Sequence, residues 1–183
     1  MLQAVPKPIV STDLGQRRNQ EGDNNPYPIP TEDQFDEEDY RDAPDLYKIV
    51  LVLMDRHPEK FAHLSQVPFA TLWKREGGKA HGKLLLGQVK KISGLAKFYG
   101  NVELVICLSA DHLRVGKATY RVIEAVVAHE MAHVAWDAEK GKVYLVPHDF
   151  EGFSFELREY GTWRTDLKIA SEAFQQIGLF GGK

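Results

Sequence analysis

The chain has 183 residues, enough for one domain of ordinary size and a tail. Hydrophobic residues make up 43% and charged residues 27%, the balance of a soluble globular protein, and no apolar run reaches the ~18 residues a membrane span needs. One cysteine, Cys107, excludes an internal disulfide framework and a structural zinc site built from paired cysteines, so a reducing, cytoplasmic setting is expected.

The net charge of −3 hides a boundary. Residues 1–45 hold eleven acids against four bases, which makes the segment −7 and leaves +4 for the remainder. Six of the nine prolines lie there too, with few large apolar residues to offset chain entropy. The opening MLQAVPKPIV lacks the apolar segment of a secretory leader. Residues 1–45 therefore read as an acidic, Pro-rich, extended arm, with Thr31 placed to cap a short acidic helix over TEDQFDEEDY. Such an arm can solubilise the chain, clamp the basic domain, or dock on a host or virion protein.

Residues 46–183 read as the folded domain. Asp45 is placed to cap a helix through LYKIVLVLMDRH, which must stop before Pro58. A second short helix covers EKFAHL. FATLWKRE, GKLLLGQVKKIS and VELVICLS are short, apolar and bounded by Gly, Pro or Asn, and are expected to form one antiparallel sheet. Thr119 then opens a long helix, YRVIEAVVAHEMAHVAWDAEK, ended by Gly141. A loop, KVYLVP, leads to a helix from about Asp149 to Tyr160, and a last helix runs through RTDLKIASEAFQQI. The fold class expected is α+β, a sheet packed against the long helix and the C-terminal helices.

The informative residues lie on that long helix. His129-Glu130-Met131-Ala132-His133 matches H-E-x-x-H. Four residues rotate a helical side chain by about 400°, so both histidines share one face, one turn apart. That lets two imidazoles reach one metal, with Glu130 beside them to take a proton from an activated water. With seven His and fourteen Glu in the chain, composition alone predicts roughly 0.02 such matches. The match also sits in an apolar helical run, as a metal face flanked by a core face requires.

A catalytic zinc needs three protein ligands and an open position. The extended form H-E-x-x-H-x-x-G-x-x-H fails, because Trp136 and Glu139 stand where its Gly and third His belong. The preferred third ligand is His148, after Pro147 at the end of the loop, with Glu151, Glu156 and Glu159 as alternatives. Asp137, one turn beyond His133, and Asp149 are candidates to orient an imidazole. Tyr144 and Tyr160 are candidate oxyanion donors. VELVICLS is a candidate sheet edge for pairing with a peptide substrate. Lys74, Arg75, Lys79, His81, Lys83, Lys90 and Lys91 form a basic stretch around one expected hairpin; a solvated hairpin is its default reading and nucleic acid its sharper one. Cys107 is expected in the core, and His57, His63 and His112 as structural or exposed.

The stretch AHEMAHVAWD…PHDFEGFSFELREYG resembles the small zinc peptidases of the SprT/Spartan and WLM type. Those carry HExxH, a short loop, then a third His followed by an aromatic about four residues on; here Phe153 stands five after His148. Closer still is the metallopeptidase domain found in phage proteins. Its pattern resembles GKLLLGQVKK, HEMAH, HDFEGF and REYG, which occur here in that order over residues 48–165. The resemblance implies a zinc-bound, minimal gluzincin-like domain of phage type, working in a host cytoplasm or with a virion. It supplies no substrate. Two functions follow as expectations: a zinc metallopeptidase acting on protein or peptide substrates, or a zinc-containing binding module that engages protein or nucleic acid through the arm and the basic hairpin.

Overall fold

A computed structural model describes residues 27–35, 37–80, 82–148, 154–165 and 167–169. The fold is α+β: a four-stranded sheet with helices against one face and two small hairpins. Most of the arm, Asp149, Glu151, Phe153 and most of the last expected helix lie outside the described residues. Among the described residues no helix is long and apolar enough to cross a membrane.

The chain enters along the domain. Tyr27 is buried and stacks on Tyr120, with ring centroids 5.4 Å apart. A 3₁₀ turn over Glu32–Phe35 buries Phe35, and Glu32 meets both Arg75 and Arg114. Strand β1 (Tyr40–Asp42) follows, then helix α1 (Pro44–Arg56). Pro44 occupies the first helical turn, where its fixed φ suits the helix and its missing N–H costs nothing. Leu46, Ile49, Val50 and Leu53 recur at helical spacing and are fully buried, each contributing about 1.5–3 kcal/mol. Asp45 does not cap α1. Ala43 stands at the cap position, held to β2 by mutual bonds with Thr71, and the Asp45 carboxylate accepts from Trp73 Nε1. Helix α2 (Pro58–Phe61) and a 3₁₀ turn (Ala62–Gln66) cover the second expected helix.

The sheet is mixed, where an antiparallel one was expected. Its order is β1-β2-β6-β5, from strands β2 (Phe69–Lys74), β5 (Gly87–Lys91) and β6 (Leu104–Ser109). Strands β2 and β6 run parallel because the chain between them leaves the sheet edge, turns in a hairpin of β3 (Lys79–Ala80) and β4 (Lys83–Leu84), and returns as β5 antiparallel to β6. GKLLLGQVKKIS is thus two strands. Short helix α3 (Gly94–Gly100) links β5 to β6, and α4 (Ala110–Val115) follows β6.

Helix α5 (Tyr120–Ala132) begins after Thr119, as expected, but does not run to Gly141. His133 closes it, and Val134–Asp137 and Lys142–Leu145 pair as antiparallel strands β7 and β8. The cause is local. V-A-W-D and K-V-Y-L favour strands, Asp137 Oδ1 accepts from the amides of Glu139 and Lys140, and Gly141 takes the left-handed φ of 56° that the turn needs. Trp136 therefore sits on a strand, not on the expected long helix. Helix α6 (Ser154–Tyr160) packs on α5.

Every residue of α5 from Ile123 to Met131 is buried, two acids included. Glu124 is paired with Arg56 Nη1 at 2.6 Å and accepts from Tyr120 and Tyr160 hydroxyls at 2.6 and 3.3 Å. Burial alone would raise its pKa, but the bonds from Arg56 and Tyr120 outweigh that and hold it below the ordinary carboxylate range. A lowered folded-state pKa gives stability that is present above the ordinary carboxylate pKa and lost as pH falls through the folded value. Arg56→Met strands the carboxylate in the core and is expected to cost about 2–4 kcal/mol in urea unfolding at neutral pH. The penalty shrinks on acidification, because a protonated Glu124 no longer needs the cation; equal penalties at both pH values would contradict this.

Candidate metal centre

The site forms where α5 ends. His129 is buried on its last turn, and His133 is half-buried at its C-terminal cap. Hairpin β7–β8 then carries the chain out and back, so that His148, three residues past β8, returns to the helix end. The three imidazoles converge. Ring centroids are 5.0 Å apart for His129 and His133, 4.8 Å for His129 and His148, and 4.5 Å for His133 and His148. One nitrogen from each lies within 4.8 Å of the others, and Nε2 of His129 and His148 are 3.0 Å apart.

The other ring nitrogens decide what those atoms offer. His133 Nδ1 lies 2.8 Å from the Val146 carbonyl, and His129 Nδ1 lies 2.7 Å from Glu156 Oε1. A carbonyl or carboxylate oxygen only accepts, so both Nδ1 atoms carry the proton and donate it. Each neutral ring then presents a bare Nε2 lone pair, the form that binds metal. Burial holds the His133 pKa below the ordinary histidine value, which favours that neutral form. Three imidazole donors, two of them with fixed tautomers, fit a tetrahedral ion with a fourth position open, and His148 is exposed, which leaves a route in.

Glu130, next to His129 on the helix, has its carboxyl beneath strand β5. Its carboxyl is buried, and burial pushes its pKa up to about 7; His129, the Val89 amide and Arg164 pull it down, and Glu156 pushes it up. Gly87 makes the seat. A Cβ there would stand 2.7 Å from Glu130 Oε1 and 2.8 Å from Val126 Cγ1. No side chain other than hydrogen leaves the acid room.

The structure brings His129, His133 and His148 together, keeps the Glu130 carboxyl within the field of His129, and disperses other candidates. Glu156 is fully buried and bonds His129 Nδ1 from behind, an orienting place of the kind expected of Asp137 and Asp149; Asp149 lies outside the described residues. Asp137 is committed to the hairpin turn. Glu159 lies near His57 at 3.8 Å. Tyr160 gives its hydroxyl to Glu124, and Tyr144 is exposed on β8. VELVICLS is no edge: β6 lies between β2 and β5, and the strand at the sheet's edge beside Glu130 is β5. His63 and His112 bond backbone carbonyls of Val134 and Leu85, and Cys107 is buried.

Sequence reasoning missed Gly87 and misjudged Glu156. A glycine between Leu86 and Gln88 within an apolar run was the available signal, since glycine inside a strand marks a close approach. Glu156→Gln is expected to weaken metal binding about 10- to 100-fold in a chelator competition, with the fold intact by circular dichroism. Gly87→Ala is expected to leave metal content unchanged and displace the Glu130 carboxylate, costing about 1–3 kcal/mol of stability; full metal loss in this variant would mean that β5 supports the histidines instead.

The profile of the family described as putative phage metallopeptidase matches residues 38–172. No curated protein and no solved structure matches the chain. The matched span takes in the sheet, α5 and all three converging histidines. The chain belongs to the phage metallopeptidase family.

Proposed function

We propose that the protein is a zinc-dependent peptidase, with His129, His133 and His148 as ligands and Glu130 as general base. The convergence of three imidazoles beside a buried carboxylate carries this reading. Three neutral imidazoles suit zinc, which takes nitrogen donors in tetrahedral sites. When bound, the metal supplies a Lewis acid that polarises a carbonyl and eases proton loss from water.

The chain's own residues do the rest. Glu156 and the Val146 carbonyl hold two rings by their Nδ1 protons, so no reorientation is needed on binding. Glu130, with a pKa raised to about 7 by burial, is poised to accept a proton from the attacking water and return it to the leaving amine. The Val89 amide bonds the carboxylate from β5 and fixes its direction. As the edge strand, β5 has one row of backbone groups available to pair with an extended peptide. Tyr160 is committed elsewhere by its bond to Glu124, which leaves Tyr144 as the tyrosine candidate for the oxyanion.

Glu130→Gln tests the reading. It is expected to retain zinc and to lose about 100- to 10,000-fold in the cleavage of an unfolded protein. His129→Ala is expected to lose zinc and to melt lower, because bound metal contributes folding free energy. Undiminished cleavage by Glu130→Gln would exclude it as the base. Zinc binding by the wild type with no cleavage of any unfolded protein would favour a binding module.

A further inference from the structure

From Gly77 to Val102 the sequence holds five lysines and no aspartate or glutamate. Those residues build β3, β4, β5 and α3. All five lysines, at 79, 83, 90, 91 and 97, are exposed, though Lys91 donates to the Val143 carbonyl and Lys97 pairs with Glu103. The metal centre does not use this surface. Gly87 and Val89 face α5 and Glu130, so Gln88 and Lys90 point to the opposite face of the sheet.

The pairing register shows what that face carries. Gln88 lies across from Cys107, and Cys107 across from Leu72; Lys90 lies across from Val105; Lys74 lies between Ser109 and Tyr40. Tyr40, Gln88 and Lys90 are exposed there, and the charges of Lys74 and Lys90 both act on the Cys107 thiol, which places them over the middle of the sheet. A cleft runs between them, lined by Tyr40, Lys74, Gln88, Lys90 and Cys107. Past the end of β5, helix α3 buries no residue. Its Leu95, Phe98 and Tyr99 are 75%, 78% and 81% exposed, and the Phe98 and Tyr99 rings stand edge to face 5.2 Å apart.

Two adjacent aromatic rings in solvent are costly to keep and unusual on a lone surface. Beside Lys79, Lys83 and Lys90, with Glu103 taken up by Lys97, they match a polyanion that carries flat apolar faces. We infer that β5, the outer sheet face and α3 form a binding surface for single-stranded nucleic acid. Lysines along β3, β4 and β5 neutralise phosphates, and Phe98 and Tyr99 stack on unpaired bases. A duplex keeps its bases stacked inside and offers only the phosphates. The strand tracks the β5 side, because Asp39 and Asp42 make the β1 edge acidic. The surface shares β5 with the peptidase reading, but the side chains it uses there, Gln88 and Lys90, lie on the sheet face opposite the candidate metal centre.

The test is fluorescence anisotropy of a labelled oligothymidylate with the full chain, at several salt concentrations. Saturable binding is expected, weakening as salt rises. Phe98→Ala combined with Tyr99→Ala should weaken it about tenfold or more while leaving zinc content and melting temperature unchanged. Lys90→Glu with Lys79→Glu should also weaken it and lower the slope of log affinity against log salt by about 0.7 for each phosphate no longer neutralised. Absence of saturable binding, equal affinity for a duplex of the same length, or an unchanged affinity in the aromatic variant would each overturn the inference. Slower cleavage of an unfolded protein by the aromatic variant, with oligonucleotide binding intact, would assign the surface to protein substrates instead.

Discussion

Two hydrogen bonds made by the far side of the imidazoles govern the metal centre. Helical spacing brings His129 and His133 to one face, but it does not say which ring nitrogen points outward. The Glu156 carboxylate and the Val146 carbonyl decide that, since each can only accept. Both acceptors come from chain beyond the helix: Val146 from the residue after β8, Glu156 from α6. The H-E-x-x-H helix is therefore an incomplete site by itself. Hairpin β7–β8 and α6 must dock before the rings acquire a defined tautomer. Glu156 is fully buried, and one of its carboxylate oxygens, Oε2, has no hydrogen-bond partner among the described residues. A buried carboxylate half-satisfied in this way is costly unless a positive charge lies nearby. A cation held by the histidines would stand on the other side of His129, and the ring would pass its field to Glu156. The carboxylate thus favours the loaded site over the empty one.

Helix α5 carries two buried acids, six residues apart, and their surroundings push them in opposite directions. Glu124 has Arg56 and two tyrosine hydroxyls, so its charged form is held. Among the described residues Glu130 has the field of His129, the Val89 amide and the field of Arg164 to set against burial, so its proton leaves with difficulty. The same carboxyl chemistry serves anchoring in one place and, in the proposed mechanism, proton transfer in the other. The difference is not in the helix but in what lies over it: an arginine from α1 covers the first, a bare glycine backbone from β5 covers the second.

Where one local rule dominated, the sequence was legible. The H-E-x-x-H pair, the returning His148, the burial of Cys107 and the β2 and β6 strands all followed from spacing or composition. The misses have a common origin in competing local signals. AVVAHEMAHVAWDAEK has no glycine or proline before Gly141, so helical periodicity ran on past His133. Val134, Trp136, Val143 and Tyr144 have strand preferences that only become decisive once cross-strand pairing is available, and pairing is not a local property. The mixed sheet was missed for the same reason. Parallel pairing of β2 and β6 depends on the route of the chain between them, which periodicity does not encode. Glu156 was weighed as a ligand because carboxylates downstream of H-E-x-x-H can serve so; its role behind His129 depends on the angle at which α6 docks.

The early end of α5 has a geometric consequence for the candidate metal centre. Had the helix continued to Gly141, residues 134–140 would have carried the chain about 10 Å further along the axis, at 1.5 Å per residue. His148 would then have needed a long loop to return. The hairpin cancels that displacement. β7 leads out from His133, β8 leads back, Val146 N bonds the His133 carbonyl, and the Val146 carbonyl bonds the His133 ring. Residue 146 is thereby clamped to residue 133 through both backbone and side chain, two positions before the third imidazole. Lys91 of β5 bonds the Val143 carbonyl and ties the same hairpin to the strand that seats Glu130. One small hairpin thus fixes the third imidazole relative to the first two, and the edge strand relative to all three. A ligand set spread over 20 residues becomes rigid through hydrogen bonds to a single turn of chain, without a third histidine on the helix itself.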